Sequence, residues 1–167
     1  MNYLKLAIIF FFCFILTACA TPEEKEYNQG VDAEREGHYD KARSHYLNTL
    51  GINPSLAEAY LNLGALAIKD KDFSQAQEYT LKALELFKKN QTTIVSATVW
   101  QDQAALACNN MASIVFQRAK QAYETGQVDL QQKAHEEAKQ WLDKAVEFDP
   151  DNELILNNQR FIQLWPN

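Results

Sequence analysis

The sequence predicts an all-α solenoid of about three helix hairpins, the third elongated, closed by a C-terminal capping helix. Three observations predict it. Apolar and small residues recur at helical spacing over most of the chain. Key residues repeat 34 positions apart: Gly30 and Gly64, Ala42 and Ala76, Asn28 and Asn62, with Tyr39 answered by Phe73. Pro54 and Pro150 stand where hairpins close. A unit of this length is one helix pair that cannot bury its apolar face alone, so successive units stack.

The first element is not part of the solenoid. Met1-Asn2-Tyr3-Leu4-Lys5 is a short basic lead, followed by an apolar run from Leu6 to Leu16 and then Thr17-Ala18-Cys19. This is the pattern of a secretory signal peptide over residues 1–18. The apolar stretch is shorter than the ~20 residues needed to span a bilayer core. Leu16-Thr17-Ala18-Cys19 resembles the lipobox of bacterial lipoproteins. That resemblance implies cleavage before Cys19, acylation of Cys19 and a membrane partner reached through the N-terminal lipid. Two or more acyl chains, at about 0.8 kcal/mol per buried methylene, give stable anchoring. Ala20 follows the cysteine where an Asp would retain a Gram-negative lipoprotein in the inner membrane. The resemblance therefore implies an outer-membrane protein facing the periplasm, or the outer side of the single membrane in a Gram-positive host.

Removing residues 1–18 leaves 149 of 167 residues, enough for one domain, and shifts the formal charge from −6 to −7 by loss of Lys5. The acidic balance and the lack of any Lys/Arg cluster exclude nucleic acid as a partner. Of three cysteines, Cys13 leaves with the signal peptide and Cys19 is the lipid site, so Cys108 stands alone, without a disulfide partner. Its surroundings, Ala104 to Ala107, mark it as a buried small hydrophobe.

Residues 19–22 form a short tether. Thr21-Pro22-Glu23-Glu24 reads as an N-cap, a Pro at the first helical position and a capping-box Glu. Only Ala20 and Thr21 separate the cysteine from that helix, so the tether spans less than about 10 Å and holds the domain against the membrane. The first repeat covers 23–56 with Gly30, Gly37, Ala42, Tyr46 and Pro54; Thr49 takes the place of a third small residue. The second covers 57–90 with Tyr60, Leu63, Gly64, Phe73, Ala76 and Ala83, and Lys88 stands where a closing Pro would be. This period, with small residues where helices cross, resembles the tetratricopeptide repeat. Gly and Ala let the two helices of a pair approach, while larger residues fill the grooves between.

The third repeat, about 91–150, is stretched. Asn110-Met111-Ala112 matches Asn62-Leu63-Gly64, yet Ala112 lies 48 residues after Gly64 instead of 34. Ala138 then lies 26 after Ala112, where earlier repeats have 12. The first excess falls over residues 91–104, and the second lengthens both helices around a turn near Gly126. The stripe Met111, Val115, Ala119, Ala122 belongs to the first long helix and Leu130, Ala134, Ala138, Leu142, Ala145 to the second. Trp100 either begins the first long helix or packs as a lid. Residues 151–167 read as the capping helix, with Asp151 as N-cap and with Leu154, Ile155 and Leu156 leaving some apolar surface exposed. Trp165-Pro166 closes it, as core or as contact surface. The stretched hairpin and this tail admit self-association.

Catalytic and cofactor signatures are absent from the sequence. His38, His45 and His135 have no metal-ligand spacing, and His135-Glu136-Glu137 reads as solvated helix surface. No nucleophile elbow, P-loop or dinucleotide fingerprint occurs. We therefore expect a non-enzymatic protein without metal, cofactor or small-molecule substrate.

The tetratricopeptide resemblance implies a concave groove lined by the first helix of each hairpin. By register the groove presents Glu24, Tyr27, Val31, Glu34 and Arg35, then Glu58, Leu61, Ala65, Ile68 and Lys69, then Leu106, Asn109, Ser113, Phe116 and Gln117. Asn28, Asn62 and Asn110 hold the family's Asn position, for bonds between helices or to a peptide backbone. Tyr27, Leu106 and Asn110 stand where a basic carboxylate clamp would need Lys or Arg. An apolar groove with acidic flanks suits a protein partner with apolar anchors and some positive charge. The expected function is a membrane-anchored interaction scaffold of the bacterial envelope. In architecture it is similar to the lipoproteins, pilotin-like among them, that help assemble pilus or secretion complexes. The alternative is an adaptor that recruits periplasmic cell-wall enzymes.

Overall fold

The computed structural model describes residues 20–89 and 100–165. The expected signal peptide, Cys19, Asn90 of the second repeat, residues 91–99 of the insertion, Pro166 and Asn167 lie outside the described residues. Within them the chain forms three antiparallel hairpins and a final helix: α1 (Pro22–Arg35) with α2 (Tyr39–Ile52), α3 (Ala57–Lys69) with α4 (Phe73–Lys88), α5 (Trp100–Glu124) with α6 (Val128–Phe148), and α7 (Glu153–Gln163). No helix among the described residues is long and apolar enough to cross a membrane.

Local chemistry sets the helix ends. Thr21 caps α1: its hydroxyl accepts from Glu24 N (3.3 Å) while Thr21 N donates to the Glu24 carboxylate (2.9 Å). Each hairpin turns through one left-handed residue at the same place, Gly37 (φ 79°), Lys71 (φ 62°) and Gly126 (φ 69°). In each turn the left-handed residue bonds three residues back, and the next residue bonds five back, as in His38 N to Ala33 O (2.8 Å) and Asp72 N to Ala67 O (2.9 Å).

Close approach within a hairpin depends on missing side chains. A Cβ on Gly30 would stand 2.5 Å from Tyr46 Cε1, and one on Gly64 would stand 2.6 Å from Thr80 Oγ1. The same hole is filled by a ring in the first hairpin and by a hydroxyl-bearing residue in the second. Ala112 on α5 is buried at the corresponding place in the third. One core gathers Ala33, Ala42, Tyr46, Leu63 and Leu66 around α1–α3. A larger one runs from Leu61 through Phe87, Met111 and Leu142 to Ile155 and Ile162, so α3 belongs to both.

The stretched repeat is resolved as two long helices, α5 of 25 residues and α6 of 21, turning at Gly126. Trp100 both begins α5 and packs edge-on against Phe148 of α6, ring centroids 5.9 Å apart. Cys108 is buried as expected, and burial pushes its thiol up to about 11.

Three expectations are corrected. The N-cap of α7 is Asn152, whose side chain accepts from Ile155 N (3.4 Å), not Asp151. Leu130 is 47% exposed and Gln131 takes its place in the stripe of α6. Each four-residue step overshoots a helical turn by about 40°, so three such steps carry position 130 off the face. His135 is only 1% exposed. Its Nε2 donates to the Ile162 carbonyl at 2.6 Å, because α7 folds back over the long hairpin and covers that face.

Candidate protein-binding groove

The first helices α1, α3, α5 and α7 follow one another along the stack, and two side-chain bonds tie neighbouring members together. Asn62 of α3 donates its amide to the Tyr27 hydroxyl of α1 (3.2 Å). Asn158 of α7 donates to the Asn109 carbonyl oxygen of α5 (2.8 Å). In both, an Asn reaches the residue just before the Asn position of the preceding first helix, Asn28 or Asn110. For Asn62 the role is a bond between helices.

The predicted lining residues divide by accessibility. Tyr27, Val31, Glu34, Ala65, Ile68 and Leu106 are half-buried. Leu61, Asn109 and Phe116 are buried, the first in the core and the other two beneath α7. Several polar members already serve the fold. Glu24 caps α1, and the Glu34 carboxylate accepts from the Tyr46 hydroxyl (2.8 Å). Burial pushes the Tyr27 hydroxyl up to about 12 and raises that of Tyr46 as well. Both rings, 5.7 Å apart, remain neutral. Lys69 lies over the Tyr39 ring at 4.2 Å, and Arg35 pairs with Asp32 at 3.5 Å.

The end of the face differs from its beginning. Between α5 and α7 lies a cleft of about 200 Å³ with Ser113, Phe116, Gln117 and Lys120 on one wall and Asn158 and Phe161 on the other. Trp165 packs beside it, with ring centroids 5.1 Å from Phe116 and 6.0 Å from Phe161. Lys120, Asn158, Phe161 and Trp165 were not among the residues that register placed in the groove. A signal for Asn158 was present: it lies 48 residues after Asn110, as Asn110 lies 48 after Asn62. Thus α7 occupies the place of the first helix of a further unit. Arg160, at the position of Gly64 and Ala112, is exposed because no second helix packs there among the described residues.

Among the described residues no three His, Cys, Asp or Glu side chains are grouped to hold a metal. The His45–Glu26 pair (2.9 Å) joins α2 to α1, with Asn48 also donating to Glu26 (3.3 Å).

The tetratricopeptide repeat model matches residues 57–90 and 123–152. The chain is 31% identical over 80 residues to human Tetratricopeptide repeat protein 6, which covers 48% of this chain but only 15% of that protein. It is 25% identical over 135 residues to the Photosystem I assembly protein Ycf3 of Cyanophora paradoxa, covering 79% of this chain and 70% of that one. Two solved structures share the fold. The first TPR of Spaghetti, bound to the HSP90 peptide SRMEEVD, has a TM-score of 0.62 at 18% identity, over 89% of this chain and 95% of that one. The N-terminal domain of stress-induced protein-1 from C. elegans has a TM-score of 0.56 at 16% identity, over 84% and 94%.

Proposed function

We propose that this chain, matched by the tetratricopeptide repeat over residues 57–90 and 123–152, is an interaction scaffold anchored by lipid at Cys19 to a bacterial envelope membrane, where it helps a pilus or secretion complex assemble. The observation that carries the reading is the row of first helices, which keeps Val31, Ala65, Ile68 and Leu106 half-open to an occupant. A surface of apolar anchors on a rigid stack of helices suits capture of a partner segment. The Photosystem I assembly relative supports an assembly role over enzyme recruitment. The capping box at Thr21, two residues after Cys19, supports a domain held close to the bilayer.

The experiment is affinity capture from cross-linked envelopes with the lipidated protein, comparing wild type with Ile68→Glu and Leu106→Glu. Both variants should keep native helicity and lose the captured partner. Capture unchanged by either variant would refute the groove. Pilus or secretin components among the captured proteins support the assembly role, and cell-wall hydrolases would replace it with the adaptor role. Mass spectrometry that finds an unmodified thiol at residue 19 would remove the anchor.

A further inference from the structure

Three lysines among the described residues are half-buried. Lys82 pairs with Glu85 at 3.0 Å and Lys139 with Glu136 at 3.7 Å. Lys120 pairs with no carboxylate among the described residues; its one contact of note is the Trp165 ring, 6.0 Å away. A cation drawn partly out of water without a counter-charge is costly, and a neighbouring ring quadrupole offsets only part of that cost. Lys120 stands at the rim of the α5–α7 cleft. Phe116, Leu142, Phe161 and Ile162 form the apolar part of the lining, and Ser113, Gln117 and Asn158 the polar part. The space of about 200 Å³ suits one aliphatic or aromatic side chain. Phe161 is 56% exposed even though its ring packs edge-on against Phe116 at 5.8 Å, so it stays accessible at the cleft.

An apolar patch within the cleft, beside a cation with no carboxylate partner among the described residues, defines the complement. We propose that the α5–α7 cleft takes an apolar side chain from a segment of a partner protein, and that Lys120 pairs with an Asp or Glu side chain next to that anchor. This rests on the groove reading above and adds a direction to it. Of the carboxylates that register placed on the first-helix face, Glu24 and Glu34 lie half-buried on α1 and Glu58 on α3 is buried, whereas Lys120 lies on α5. A bound segment therefore runs with its acidic, anchor-bearing part at the α5–α7 end and any basic part toward α1.

The test is selection of a displayed library of random peptides on the full-length protein, repeated on Lys120→Glu, Phe161→Ala and Ile68→Glu. Circular dichroism first checks that each variant is folded. Peptides enriched on wild type should share an aliphatic or aromatic residue with Asp or Glu within two positions. Selection on Lys120→Glu should exchange that acid for Lys or Arg, and selection on Phe161→Ala should lose the apolar preference. A synthetic peptide of the selected sequence, amidated at its C-terminus, should bind Lys120→Glu about tenfold or more weakly, the scale of one charge-assisted pair. The same acidic motif on Lys120→Glu, or no enriched motif at all, overturns the proposal. So does binding only by peptides that end in a free carboxylate at the anchor. A motif abolished by Ile68→Glu but indifferent to Lys120→Glu would overturn this inference alone. A motif indifferent to both would overturn the groove as well.

Discussion

Asn158 donates its side-chain amide to Asn109 across 2.8 Å, joining α7 to α5 as Asn62 joins α3 to Tyr27 of α1. Asn109 is buried, so removing its donor leaves an acceptor out of reach of water. Asn158→Ala should therefore cost about 1–3 kcal/mol, and Asn62→Ala, whose partner Tyr27 is half-buried, should cost less. Urea denaturation of the two variants measures the difference. An equal loss would mean that the two bonds are not energetically distinct.

Gly64 and Thr80 form a pair that a double-mutant cycle can separate. A methyl at 64 would meet the Thr80 hydroxyl, a buried group with no hydrogen-bond partner among the described residues. Gly64→Ala should destabilise by about 1–3 kcal/mol through overpacking. Thr80→Ala in the same chain should recover much of that, with a coupling above about 0.5 kcal/mol. Purely additive losses would rule out this contact as the cause.

Lys71 carries the strain that Gly37 and Gly126 avoid in the equivalent turns. Lys71→Gly should stabilise the protein by up to about 1 kcal/mol, since only glycine adopts that backbone without steric cost. Thermal melting is the check, and a lowered Tm would contradict it.

His135 holds the last turn of α7 through the Ile162 carbonyl. Replacing it with Leu removes that donor and leaves the aromatic packing against Phe116 (6.3 Å) to rearrange. Hydrogen exchange should then show α7 opening well before α3 or α4, and earlier than it does in wild type. Uniform loss of protection would place the effect elsewhere.

Glu85 accepts from Lys89 (2.5 Å) and Lys82 (3.0 Å), bonds that hold its carboxyl down at about 2 from an ordinary 4.5. A lowered carboxylate favours the folded state above its unfolded value and loses that contribution as pH falls through the folded one. Wild type should thus be more stable than Glu85→Gln near neutrality, and the gap should close between about 4.5 and about 2. The group is exposed, so the gap is small and shrinks with added salt. Urea midpoints across that range measure it, and a gap that widened in acid would contradict the sign.

Local and periodic features were legible in the sequence. The capping box at Thr21, the turn at Gly126, the holes at Gly30 and Gly64 and the long third hairpin all follow from residues whose partners lie within one repeat. Such partners are set by helical geometry, which a chain carries in its own spacing. What only the tertiary structure decided lies where α7 returns. His135 became core and Phe116 became a cleft wall; Lys120 was left at the cleft without a carboxylate partner among the described residues. No periodicity within α5 or α6 states which face a later helix will cover, because that choice rests on apolar area summed over three helices and is made only when they pack.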